Sequence, residues 1–238
     1  MTNIYTDFKD YAIKHIGIDP LQMMAWDNLQ NSLYNNVMAM PNNSLTPYIL
    51  EERQIRATPM DIFSRLMMDR ILWIAGPVND RMSTVVQAQL MYLDTIDTTD
   101  ITMNIDSPGG SVKSGLSMVD TMNYIHSDIV TVNTGMAASM GSILLGAGTK
   151  GKRYSLPNSK VMLHQVSAGA QGNIQDMKIT LAETEKYNEI LFAMLGKYSD
   201  KNPEEVLADT TRDLWLTAEE AKLYGIIDDV IYKKPSKK

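Results

Sequence analysis

The chain contains three histidines and no cysteine. The candidates for a side-chain general base that titrates near neutrality are therefore His15, His126 and His164. Disulfides, thiolate zinc sites and cysteine nucleophiles are excluded. His15 sits in an N-terminal stretch unlike the rest of the chain. His126 stands at a predicted helix end beside Ser127 and Asp128. Helix carbonyls favour imidazolium there, so a structural role suffices. His164 ends an apolar run, Lys160 to Gln165, that predicts a short strand. Strand ends followed by loops are where α/β proteins place chemistry. Taken alone, His164 also fits a hydrogen-bonded core histidine.

A nucleophile for such a base is Ser139, within Gly135-Met136-Ala137-Ala138-Ser139-Met140-Gly141. Small-x-Ser-x-Gly at a strand–helix junction exposes a hydroxyl on a sharp turn and aims helix N-terminal amides at it. The same pattern describes a serine packed in a tight helix–sheet contact. Acyl transfer also needs donors fixed in advance for an oxyanion, and losing one costs ~10² to 10³ in rate. Ser107-Pro108-Gly109-Gly110-Ser111 offers bare backbone amides, Gly110 among them, and the Met140 amide follows the serine. A plain turn explains the two glycines equally well. A carboxylate must then fix the imidazole tautomer. Asp209, Asp213, Asp228 and Asp229 are the late candidates. Asp213 directly precedes the apolar Leu214-Trp215-Leu216 run, but the residues alone do not choose it over Asp209.

The elements that would carry these residues alternate. A short helix over 61–68 leads to the apolar strand Ile71–Ala75, then to a helix over 81–93. Strand Ile101–Ile105, the Ser-Pro-Gly-Gly turn and a helix from Ser111 to about Ile125 follow. Next come strand Ile129–Asn133, a turn around Gly135 and a helix from about Ala138 to Leu145. After Lys150 the pattern predicts strand 160–165, a loose segment from Gly169 to Gly172 and a long helix over 174–198. Strands 214–216 and 226–232 end the chain, with a helix starting at Thr217 between them. Strand, glycine turn and helix in repetition predict an α/β fold with a mostly parallel sheet. Asp19-Pro20 predicts the start of an earlier helix. The asparagine-rich stretch 35–59 predicts a linker and arm.

The chain has 238 residues, 44% of them hydrophobic and 21% charged, with a net charge of −6. That suits a folded core and not a disordered polyampholyte. No basic stripe is present, so nucleic acid is not an expected partner. Lys233, Lys234, Lys237 and Lys238 form a basic tail that fits a solvated terminus. Ile129 to Thr149 holds no charge and is long enough to suggest a membrane span. Its Thr131, Asn133, Gly135, Ser139 and Gly141 suit a buried strand, turn and packed helix instead. Asp7, Lys9, Asp10 and Lys14 interrupt any secretory signal. A cytoplasmic protein without a membrane anchor is expected.

Four segments resemble the proteolytic-subunit family of the Clp protease: Asp61 to Leu66 (DIFSRL), Asp106 to Gly110 (DSPGG), Gly135 to Leu145 (GMAASMGSILL) and Leu156 to Gln165 (LPNSKVMLHQ). They fall in the family order, and the similarity runs from about Tyr48 to Tyr232. The resemblance implies Ser139 as nucleophile, His164 as base and Asp213, in the Arg212-Asp213 pair, as the acid. It implies Gly110 and Met140 as oxyanion donors. It further implies a crotonase-like ββα spiral with a protruding handle helix at 174–198. Two stacked heptameric rings with internal active sites, an AAA+ unfoldase ATPase as partner and polypeptide substrates belong to the same expectation. No metal or cofactor is called for. The organisation expected is an N-terminal extension over 1–45, either a propeptide removed by processing or an arm, a peptidase domain over 46–232 and a basic tail over 233–238.

Three departures stand out. Thr102 and Asn104 occupy positions where the family often has tyrosines that help receive the ATPase, although Tyr124 and Tyr154 are retained. Thr211 replaces an acidic residue that supports ring–ring ion pairing. The arm of about 45 residues exceeds the usual short leader. Two other readings share the fold: a crotonase-type acyl-CoA enzyme, and an inactive ring subunit that scaffolds a second one. A membrane-bound signal-peptide-type peptidase fits less well, because no anchor is found.

Overall fold

A computed structural model describes residues 48–53, 56–169 and 171–233. The chain separates into two units, Met1–Tyr48 and Ile49–Lys238. His15, the predicted helix at Asp19-Pro20 and the tail beyond Lys233 lie outside the described residues. Strands β1 (Tyr48–Arg53) and β2 (Arg56–Asp61) form a two-stranded sheet. Paired backbone thus occupies part of the stretch expected to be a linker. Helix α1 (Ile62–Met68) follows, its first amides capped by the Asp61 carboxylate.

The main sheet has seven strands. Five lie parallel in the order β3 (Ile71–Ala75), β4 (Ile101–Ser107), β5 (Ile129–Ala138), β6 (Arg153–Ser155) and β9 (Asp229–Val230). Strand β7 (Lys160–Leu163) also pairs with β5 in parallel, and β8 (Leu214–Thr217) runs antiparallel to β7. The helices are α2 (Asp80–Ile96), α3 (Val112–Tyr124), α4 (Met140–Gly146), α5 (Ile174–Ser199), α6 (Pro203–Asp209) and α7 (Ala218–Tyr224). Along β4, Ile101, Met103, Ile105 and Ser107 are buried and alternate with more exposed neighbours, as a strand covered on one face requires. Leu90 and Leu93 of α2 and Met118, Val119 and Met122 of α3 share that core. Among the described residues, no helix is long and apolar enough to cross a membrane.

Strand β5 is the branch point. Its Thr131–Asn133 pair with β6, and its Met136–Ala138 pair with β7. The two halves meet at Asn133, which is fully buried. Asn133 Nδ2 donates to the Lys160 carbonyl at 2.9 Å, and its Oδ1 accepts the Gly135 amide at 3.3 Å. Its own carbonyl accepts the Leu156 amide at 2.9 Å. A turn was expected around Gly135. Instead the strand continues through a bulge, with Ile105 opposite Asn133 but Ser107 opposite Ala137. The Asp106 carboxylate fills the bulge by accepting the Met136 amide at 3.0 Å. A Cβ on Gly135 would lie 2.7 Å from that carboxylate, so the position needs glycine.

Other boundaries also differ from expectation. α4 begins at Met140 and not at Ala138, because β5 extends through Ala138. The last strand covers only Asp229–Val230, not 226–232, since its neighbour β6 offers three residues to pair with. β6 and α6 were not anticipated.

Arg153 of β6 is almost fully buried and must be neutralised. Its Nη2 donates to Asp228 Oδ1 at 2.6 Å and its Nε to Asp228 Oδ2 at 3.0 Å. Burial pushes the Asp228 carboxyl up, but bonds from the Arg153 side chain and from the Arg153 and Gly151 amides outweigh it and hold it below the usual value. Asp228→Ala would strand the buried guanidinium, so we expect a loss of about 3 kcal/mol in urea unfolding at pH 7. A depressed folded-state pKa gives stability that is present above the unfolded carboxylate value, about 4, and lost as pH falls through the folded one. The gap between wild type and Asp228→Ala should therefore narrow below about pH 4. A gap that stays constant from pH 7 to pH 2 would show that the pair contributes no charge-dependent stability.

Candidate active site

Ser139 stands between β5 and α4 with φ 54° and ψ −123°. A non-glycine residue seldom adopts positive φ, and the cost is of order 1–3 kcal/mol. The elbow is over-determined by its surroundings. The Ser139 amide donates to the Met162 carbonyl of β7 at 2.9 Å, and the Ser139 carbonyl accepts the Ser142 hydroxyl at 2.6 Å. Opposite the elbow lies the Gly109 backbone, whose added Cβ would meet Ser139 Cβ at 2.6 Å and the Met140 nitrogen at 2.9 Å.

His164 directly follows β7. In the antiparallel ladder Leu163 faces Leu214, so the next pair outward is His164 and Asp213. Their side chains meet there, with Asp213 Oδ1 3.5 Å from His164 Nδ1, at the outer edge of hydrogen-bond range. The histidine side chain is 25% exposed and the aspartate 60%, so the pair is only partly shielded from water. Beyond His164, the Val166 amide donates to Asn188 Oδ1 of α5 at 3.0 Å, which ties the loop to that helix.

Ser139, His164 and Gly110 line one cleft of about 170 Å³. Val112, Ile143, Leu191 and Leu195 give it an apolar wall. Neither the Gly110 nor the Met140 amide donates to an acceptor among the described residues, and the Ser139 hydroxyl has no partner there either. A wider depression runs from His164 past Asp213 to Thr210, Thr211 and Arg212.

The remaining candidates lie elsewhere. Asp209 is engaged by Lys201 at 3.2 Å and by the Tyr224 hydroxyl at 3.0 Å. Asp228 is held by Arg153, and Asp229 by Lys222 at 2.6 Å. His126 is a surface residue whose Nδ1 lies 3.4 Å from Asp94 Oδ2. Burial raises the Asp94 carboxyl, yet bonds from the Ser127 hydroxyl and the Ser127 and His126 amides outweigh it and hold it at about 2. Sequence reasoning missed Asn133 and Asn188. A buried asparagine inside an apolar strand was the available signal for Asn133. For Asn188, on a long polar helix, there was none.

Residues 54–234 match the family model described as Clp protease. An ATP-dependent Clp protease proteolytic subunit from Bacteroides fragilis (strain YCH46) is 47% identical over 229 residues, covering 96% of this chain and 99% of its own length. A protein of the same description from Bacteroides thetaiotaomicron is 46% identical, with 96% and 99% covered. One from Porphyromonas gingivalis (strain ATCC BAA-308 / W83) is 44% identical, with 95% and 98% covered. The chain belongs to the Clp protease family. Its activity is that of a serine-type endopeptidase. With 96% of the chain covered, most of the first 45 residues have a counterpart in the first of these relatives.

The elbow makes a stability prediction. Glycine tolerates φ 54° without the steric cost that alanine retains. Ser139→Gly should therefore unfold at a higher temperature than Ser139→Ala, the difference corresponding to about 1 kcal/mol. Equal midpoints, or a lower one for the glycine variant, would show that the elbow stores no strain.

Proposed function

We propose that the chain hydrolyses peptide bonds of unfolded or threaded polypeptides through an acyl-enzyme, with Ser139 as nucleophile, His164 as general base and Asp213 orienting that base. One observation carries this reading. Ser139 on its positive-φ elbow and His164, with Asp213 3.5 Å from its Nδ1, converge on a single cleft. Ser139 Oγ attacks the scissile carbonyl, while His164 Nε2 takes the hydroxyl proton and gives it to the leaving amine. The C–N bond breaks and an ester to Ser139 remains. Water then attacks the ester with His164 again as base, releasing the acid and restoring the serine. The free amides of Gly110 and Met140 receive the oxyanion in both steps. Asp213 accepts from His164 Nδ1–H, which leaves Nε2 free to take the proton. The apolar wall of Val112, Ile143, Leu191 and Leu195 suits a hydrophobic side chain next to the scissile bond.

The assembly we propose is two stacked heptameric rings of a crotonase-like spiral, fed by an AAA+ ATPase in the cytoplasm. The relatives are named as ATP-dependent and as proteolytic subunits. α5 would be the handle between rings, which gives its exposed Ile174, Ile179, Leu181 and Ile190 a partner to cover them. The same proposal divides the sequence into an N-terminal extension over 1–45, a propeptide or an arm, a peptidase domain over 46–232 and a basic tail over 233–238. Thr102 and Asn104 make the ATPase-docking surface atypical for the family.

The test is intact mass after exposure to a fluorophosphonate, beside turnover of a short fluorogenic peptide by the assembled protein. A single adduct on wild type and none on Ser139→Ala is expected, with turnover reduced at least ~10³-fold in the variant. Undiminished hydrolysis by Ser139→Ala would overturn the assignment.

A further inference from the structure

The segment that presents Gly110 is fixed from behind by residues the reaction does not touch. The Val78 amide donates to the Gly109 carbonyl at 2.8 Å, and the Ser111 amide donates to the Val78 carbonyl at 2.9 Å. The contact is close enough that a Cβ on Gly110 would lie 2.3 Å from the Val78 carbonyl oxygen. This pins one edge of the segment and leaves the Gly110 amide directed away from Val78. Gly109 and Gly110 have φ of 89° and 147° and no side chains, so packing of their own does not hold the peptide plane between them.

A second tether comes from Asp80, two residues beyond Val78. The Ser114 hydroxyl lies 2.5 Å from Asp80 Oδ1 and 2.8 Å from Ser111 Oγ. The same Ser111 oxygen caps α3 by accepting the Ser114 amide at 3.2 Å. Each hydroxyl has one proton to give. The carboxylate is the stronger acceptor, so Ser114 donates to Asp80 and Ser111 supplies the proton between the two hydroxyls. The chain of bonds thus runs from Ser111, next to Gly110, through the buried Ser114 to a fixed negative charge. The far side of Ser114 is anchored as well. Its carbonyl accepts the Ser83 hydroxyl at 2.8 Å, and Ser83 Oγ in turn accepts from Gln87 Nε2 at 2.8 Å.

We propose that Asp80 is a positioning residue for the oxyanion-binding amide of Gly110. Its carboxylate holds Ser111 through Ser114 and so sets the direction of the Gly110 N–H. The inference rests on the reading of Gly110 given above. Asp80 does not line the cleft, so substrate binding in the ground state does not call on it. Transition-state stabilisation does, because donors must meet the developing oxyanion at hydrogen-bond distance.

The test is steady-state turnover of a short peptide by the assembled full-length protein carrying Asp80→Ala, Asp80→Asn or Ser139→Ala. For Asp80→Ala, kcat should fall about tenfold, a fraction of the ~10² that outright loss of a donor costs, while KM stays within about twofold. Asp80→Asn keeps an acceptor oxygen and should recover kcat to within about threefold of wild type. Unchanged kcat in Asp80→Ala, a change confined to KM, or an asparagine variant no better than alanine would each overturn the proposal. If Asp80→Ala does not assemble, Ser114→Ala cuts the same link from within, and wild-type kcat in that variant would overturn it too. The Ser139→Ala arm keeps the two readings apart. Activity surviving there would defeat the site assignment, whereas an inactive Ser139→Ala beside a fully active Asp80→Ala would defeat the positioning role alone.

Discussion

The contact between the Gly109 backbone and the Ser139 elbow is the constraint on which the rest of the site depends. Two neighbouring parallel strands, β4 and β5, end there with no side chain between them. A methyl group on Gly109 would overlap Ser139 Cβ, the Ala138 carbonyl and the Met140 nitrogen. The approach brings one strand end, carrying Gly110, beside the other, carrying the serine and the first amide of α4. It also forces the chain to leave β5 abruptly, which is where the positive φ of Ser139 comes from. Strain at one residue and bare glycines at two others are the conditions under which a hydroxyl and two backbone amides share a small space.

Much of this arrangement was legible in the sequence, for reasons that differ by element. β3 is a short apolar run closed by Gly76-Pro77, β4 ends at the Ser-Pro-Gly-Gly turn, and α2, α3 and α5 are longer helical stretches, so their positions were anticipated. α7 shows its Thr217–Glu220 capping box in the sequence. α6 carries the same kind of signal in Asn202-Pro203-Glu204-Glu205, which went unread. The course of β5 was not legible. Gly135 looked like a turn because a bulge and a turn both call for a residue without a side chain, and only the Asp106 carboxylate distinguishes them. Which of Asp209 and Asp213 lies beside His164 was also closed to composition and spacing. It depends on the register of β7 against β8, a long-range pairing that places Leu163 opposite Leu214.

Asn133 shows how a polar residue can organise a core. Both parts of its amide are used, one toward β7 and one toward the bulge, and its carbonyl holds the chain leaving β6. In an apolar strand such a residue would carry a large desolvation cost if any of these partners were lost. The same bonds therefore fix where β6 gives way to β7, and so where His164 emerges. Arg153 and Asp228 play a comparable part at the other end of β6, joining the strand to the C-terminal segment.

The exposure of Asp213 has a consequence for how the site responds to its medium. At 60% exposure, the attraction between this carboxylate and a protonated His164 acts partly through water and dissolved ions. Such an attraction weakens as the ionic strength rises, over a screening length of about 8 Å at physiological salt. In the chain by itself, the pairing of these two side chains is thus sensitive to added salt. Any surface that came to cover Asp213 would remove that sensitivity by excluding the ions, without a new bond to the histidine.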